Sequence, residues 1–204
     1  MTLTASGLID LALSNPINAQ LVERLPSLGL NQTLLTAGCL FQAVWNRISG
    51  RPAAWGVNDY DVFYFDEDLS WEAENRVIVA AQALFQDLDV KVELRNQARV
   101  HLWFADRFGT DYPPLQSAKE GIDRFLICST CVGLHIDTGE LYAPHGLDEL
   151  EPGVLRMNPN FPQPAQFRKK AQDYQARWDW LRVVESEPDR HFQIDSETHA
   201  SSRK

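Results

Sequence analysis

Asp59 and Asp61 open the stretch NDYDVFYFDEDLSWEAE, which runs from Asn58 to Glu74. Residues two apart on a strand point the same way, so an extended chain sets both carboxylates on one side. Phe63 and Phe65 continue that side, while Tyr60, Val62 and Tyr64 occupy the other. Both faces are covered past the first residues, so 59–65 reads as a central strand with its acidic end at a sheet margin. Two carboxylates this close repel unless a cation sits between them. Alone, they read most simply as a solvated strand end. A divalent ion becomes the better reading when Glu93 and Gly38 are counted with them. Glu93 lies on the polar face of the next strand, and Mg²⁺ is a hard ion that takes such oxygen ligands together with phosphate and water.

The elements that must position these groups follow from periodicity. TLLTAG, residues 33–38, is a short buried strand that ends at a glycine. Gly38 and Cys39 then open a helix, where free N–H groups and the dipole attract phosphate. Leu40, Phe41, Val44, Trp45 and Ile48 form its apolar stripe. Ser70 is the expected N-cap of a helix over 71–87, and Asp66, Glu67 and Asp68 form a polar turn before it. From Val90 to Leu102 the even positions are apolar except Asn96, and the odd positions Lys91, Glu93, Arg95, Gln97, Arg99 and His101 are all polar. That alternation predicts a long strand with a bend near Asn96–Gln97.

Two short helices over 3–14 and 17–25, broken near Pro16, are expected to pack on the domain. Ser117 and Glu120 make a capping box for a helix through about residue 127. A hairpin turns at Asp137-Thr138-Gly139. A last helix carries Phe167, Ala171, Tyr174, Trp178 and Leu181 on one stripe. Strands interspersed with helices indicate an α/β (α+β) domain with a small mixed sheet. Residues 1–184 read as a single domain, and the polar 185–204 as a mobile tail.

A hydrophobic fraction of 44% supplies a sizeable core, and the net charge of −9 argues against an extensive nucleic-acid surface. No apolar run approaches the roughly 18 residues of a membrane span, so no membrane partner is expected. Asp10 interrupts the apolar N-terminal stretch, which does not read as a signal peptide. Three cysteines make no disulfide framework, and the expected compartment is a reducing cytoplasm. Cys128 and Cys131, a lone C-x-x-C, read as buried thiols rather than a zinc site.

The motifs AGC, DYDV and VEL together resemble the DNA polymerase β-like nucleotidyltransferase superfamily, which includes the CCA-adding enzymes. WNRISGRP, VELRNQARVHLW and YPPLQSAKEGIDRFL are further similar to a bacterial nucleotidyltransferase-like branch of it. Cys39 stands where the superfamily usually has Gly or Ser. The resemblance implies two Mg²⁺ ions, or Mn²⁺ in their place, held by Asp59, Asp61 and Glu93 and bridging a nucleoside triphosphate. It implies transfer of a nucleoside monophosphate to an acceptor hydroxyl with release of pyrophosphate. Gly38 and the Cys39 backbone would cradle phosphates. Arg95 and Arg99 would neutralise phosphate charge, and Gln97 and His101 would meet base, sugar or acceptor. The acceptor is left open among small molecule, RNA and protein. An inactive nucleotide-binding or interaction module of the same fold is the alternative.

Overall fold

Asn15 and Asn18, both fully buried, explain how the first two helices dock. Asn15 caps α2 (Pro16–Arg24) by accepting from the Ile17 amide, and its amide donates to the Tyr60 hydroxyl at 3.1 Å. Asn18 donates to Ala12 O at the end of α1 (Ala5–Leu13) and to Cys39 O at 2.7 Å. Pro16 starts the second helix rather than merely separating the two, because a missing N–H costs nothing at the first helical position. The computed structural model describes residues 2–184; the expected tail, 185–204, lies outside the described residues.

The main sheet has five strands in the order β3-β2-β1-β4-β5. They are β1 (Leu34–Thr36), β2 (Tyr60–Tyr64), β3 (Val92–Asn96), β4 (Gly133–His135) and β5 (Leu141–Tyr142). β2 and β3 run parallel and the other neighbours antiparallel, so the sheet is mixed, as expected. Tyr60, Val62 and Tyr64 enter the larger core cluster, together with Phe41, Val44 and Trp45 of α3 (Gly38–Ile48). Phe63 and Phe65 pack on the opposite side against Ala118 and Ile122 of α6 (Ala118–Asp123). Both faces of β2 are therefore covered, and its side-chain parity is the one its sequence dictates.

Four boundaries differ from expectation by three residues or more, while β2 begins one residue later than expected, leaving Asp59 just ahead of it. β3 stops at Asn96 and the chain turns into a 3-10 helix over Gln97–Leu102 instead of continuing as strand. Asn96 causes this: its side-chain oxygen accepts from the Asp66 and Ala98 amides, and its NH₂ donates to Asp66 O at 2.8 Å. α4 (Trp71–Leu84) ends before residue 87, though Ser70 caps it as expected through the Ala73 amide. α6 ends at Asp123, ahead of a 3-10 turn over Cys128–Thr130. The last helix, α7 (Pro164–Gln175), ends before Trp178 and Leu181, yet both remain in the core. Trp178 donates from its indole to Asn46 Oδ1 at 3.1 Å and packs edge-on against Trp45, fixing α7 to α3.

A short α5 (Phe104–Phe108) follows the 3-10 helix. β6 (Val154–Arg156) and β7 (Arg182–Val184) form a separate parallel pair. Cys39, Cys128 and Cys131 are free, buried thiols. Among the described residues, no helix is long and apolar enough to cross a membrane.

Candidate active site

Three strands bring the acidic residues to one edge. Asp61 faces Thr36 of β1 on one side and Glu93 of β3 on the other. Thr36 immediately precedes the turn into α3, so the acidic end of β2 lies beside that helix's first turn. Ala37, in that turn, holds φ 62 and ψ −142, a region normally left to glycine. Strain of this kind persists where the surrounding packing over-determines it. The amides of Gly38 and Cys39 belong to the first turn, where helix geometry gives them no intrahelical acceptor. A Cβ on Gly38 would come within 2.4 Å of the Gln42 amide nitrogen, so the glycine permits a close approach here.

Burial first, then the charges of Asp59 and Glu93, push the Asp61 carboxyl up to about 7; Lys170 and Arg95 oppose the shift. Burial would likewise raise Glu93, but the hydrogen bond from Lys91 and the charge of Arg95 outweigh it and hold Glu93 below its ordinary value. One Glu93 oxygen is paired with the Lys91 ammonium and the other accepts from Arg95 at 3.0 Å. Among the described residues, no three His, Cys, Asp or Glu side chains converge closely enough to enclose a metal ion. The donor set nevertheless suits a hard divalent ion. Asp59 and Asp61 offer carboxylate oxygens, and the raised Asp61 is an acid whose charge lacks a sufficient counter-ion. Glu93 is near them but committed to cations.

A cavity of about 510 Å³ opens at this edge. Of the residues anticipated from sequence, Asp61, Arg95 and Gln97 line it. Gln97 is held by close packing on Gly121 of α6, where a Cβ would meet its side-chain oxygen at 2.1 Å. Gly38, Asp59 and Glu93 do not line it. Cys39 is fully buried and donates its thiol to Thr36 O at 3.1 Å; burial and then Asp61 push that thiol well above its ordinary value. Its side chain is a core group, leaving only its backbone for a ligand. Arg99 and His101 do not line the cavity. Arg99 is buried against α4, ion-paired with Glu74 and donating to Leu69 O at 3.0 Å. Both residues lie past Asn96, where the strand alternation that grouped them with Glu93 has ended.

Sequence reasoning missed the cations in the cavity wall. Arg107, Arg124 and Lys170 line the cavity, and none has a carboxylate partner among the described residues. Aromatic rings line the cavity with them. Phe104 and Tyr112 lie with centroids 4.2 Å apart, Phe161 meets Tyr112 edge-on, and the Arg124 guanidinium sits 4.8 Å from the Tyr112 centroid. Lys170 was legible in principle, because it lies between Phe167 and Tyr174 of the buried stripe of α7. Arg107 lies in the five-residue α5 and Arg124 caps the end of the six-residue α6, helices too short to show a periodic signal. In chemical terms the cavity pairs an acidic corner with cations and flat apolar walls, a combination suited to a polyphosphate attached to a ring.

Comparison with known proteins bears on the fold and the family. A structure determined by NMR and described as a CCA-adding enzyme head domain superimposes with a TM-score of 0.71, covering 91% of this chain and 98% of its own. The two sequences are 22% identical, so the likeness is one of fold. No curated protein sequence matches the chain. The nucleotidyltransferase family matches over residues 23–183, a span that includes β1, the turn into α3, both aspartates, Glu93 and the cationic wall, and the chain belongs to that family.

Proposed function

We propose that this protein transfers a nucleoside monophosphate from a nucleoside triphosphate to an acceptor hydroxyl, in a reaction that depends on a divalent metal. The observation that carries the reading is the juxtaposition of the half-buried Asp61 with Arg107, Arg124 and Lys170, which have no carboxylate partner among the described residues, in one aromatic-walled cavity. Asp59 and Asp61 would hold Mg²⁺ or Mn²⁺, with Glu93 as the third ligand. Once bound, the metal neutralises phosphate charge and activates oxygen for attack. Lys170 and Arg95 bind phosphate oxygens beside Asp61, and the Gly38 and Cys39 amides add donors at the start of α3. Phe104, Tyr112 and Phe161 offer flat surfaces to the base and exclude water from the cavity. A bond forms between the acceptor oxygen and the α-phosphorus, the acceptor's O–H proton passes to water, the α–β phosphoanhydride bond breaks, and pyrophosphate leaves.

One observation favours a second reading, a nucleotide-binding module without turnover: both Glu93 oxygens are held by cations. The deciding experiment measures pyrophosphate release from each triphosphate with Mg²⁺ and a fractionated cell extract as the acceptor source. Acceptor-dependent release that falls by orders of magnitude in Asp61→Asn supports the enzyme. Tight nucleotide binding without release in any fraction supports the module. Products separated by size and charge distinguish small-molecule, RNA and protein acceptors.

A further inference from the structure

Glu93 and Arg95 stand two apart on β3 and therefore on one face, opposite Asp61 and Phe63 of β2. Arg95 lines the cavity, and its guanidinium donates to Glu93 at 3.0 Å. The same cation thus touches the proposed phosphate cavity on one side and the third carboxylate of the acidic edge on the other. Lys91 holds the second Glu93 oxygen, and its side chain is 65% exposed, so water competes for that contact. Arg95 is the partner that an incoming anion can reach from the cavity. Resting on the metal-dependent reading above, we propose that Arg95 is a positioning residue that couples polyphosphate binding to completion of the metal site. Without polyphosphate, Arg95 occupies a Glu93 oxygen and the aspartates bind a divalent ion weakly. A polyphosphate entering the cavity takes over the guanidinium, whose fork suits phosphate at least as well as carboxylate. The freed Glu93 then turns to the ion. Metal and nucleotide bind cooperatively as a result, each raising the affinity of the other by the same factor.

The test uses Mn²⁺ as the probe, titrated into nucleotide-free protein and followed by the EPR signal of the free ion. Arg95→Gln is expected to tighten Mn²⁺ binding by at least about five-fold, the lower end of ordinary coupling between sites. Arg95→Lys, which keeps the charge and the reach to Glu93, stays near wild type. The gain must also depend on Glu93: Arg95→Gln made in a Glu93→Gln background should gain less than about two-fold, because sites that act through one another are not additive. An equal gain in both backgrounds means that Arg95 acts only through its long-range field, and overturns the proposal. So does the absence of any gain in the otherwise native protein. The metal reading fails separately, and takes the proposal with it, if no form binds Mn²⁺ or if Asp61→Asn binds it as wild type does.

Discussion

Asp61 and Glu93 are register partners in the parallel β2–β3 ladder, so their carboxylates leave the sheet on the same face. Their environments push them in opposite directions. Asp61 is raised to about 7, by burial first, while Glu93 is lowered because Lys91 and Arg95 overcome its burial. An acid raised by folding contributes stability that is fully present below its unfolded value and is lost as pH rises through its folded value. In metal-free protein, Asp61 should therefore erode stability progressively from about pH 4 to beyond pH 7.

Asp61→Asn removes this dependence. In EDTA the variant should gain on wild type by more than about 1 kcal/mol between pH 5 and pH 8, since each pK unit is worth about 1.4 kcal/mol. Urea unfolding at the two pH values measures it. A stability difference that stays constant with pH contradicts the raised Asp61. Saturating Mn²⁺ should reverse the sign at pH 8, because only the wild type then gains ligand stabilisation.

Arg99 serves the fold. Its guanidinium and Glu74 are both nearly buried, and Glu74 also accepts from the Asn96 amide at 3.0 Å. Glu74→Gln leaves a buried cation without its charge partner and should cost about 3–5 kcal/mol in urea unfolding. At temperatures where the variant remains folded, nucleotide affinity should stay within about two-fold of wild type. A selective loss of nucleotide affinity at unchanged stability would return Arg99 to the site.

The contrast between Arg95 and Arg99 explains what was legible in the sequence. Period-two alternation located Asp61, Glu93 and Arg95 on one face, and the structure keeps them there because β2 and β3 are regular. The same alternation continued through Gln97, Arg99 and His101, but Asn96 had already ended the strand. Its place as the single polar residue among the even positions was the signal, since a buried Asn needs several partners and finds them by bending the backbone. Helix starts were legible where a cap spoke for them, at Ser70 and Ser117. Arg107 and Arg124 were not, because α5 and α6 are too short for periodicity to say which side chains face the cavity.

Gly121 and Gln97 form a pair whose coupling can be measured. A Cβ at residue 121 would lie 2.1 Å from the Gln97 side-chain oxygen and 3.2 Å from a Phe63 ring carbon. Gly121→Ala should displace the Gln97 amide into the cavity and weaken nucleotide binding by about ten-fold, or ~1.4 kcal/mol. Adding Gln97→Ala should restore part of that loss, which simple destabilisation of α6 would not do. Isothermal titration with each triphosphate measures both variants. Failure of the double variant to recover any affinity would show that Gln97 does not transmit the effect.

Ala37 offers a trade between stability and function at the turn that aims the first amides of α3. Its φ of 62 with ψ −142 costs an L-residue about 1–3 kcal/mol. Ala37→Gly removes that strain, against an entropic cost of about 0.5–1 kcal/mol for an added glycine. The variant should therefore unfold at higher urea concentration than wild type. The same freedom loosens the path from Thr36 to Gly38, so the Gly38 and Cys39 amides no longer arrive pre-aimed at phosphate, and triphosphate affinity should fall by about three- to ten-fold. Ala37→Val goes the other way in stability, because a β-branched side chain is disfavoured still more in this region. Unfolding curves and triphosphate titrations on the three proteins check both halves. A glycine variant that is more stable and binds nucleotide as tightly as wild type would mean that the strained turn contributes nothing to the phosphate donors.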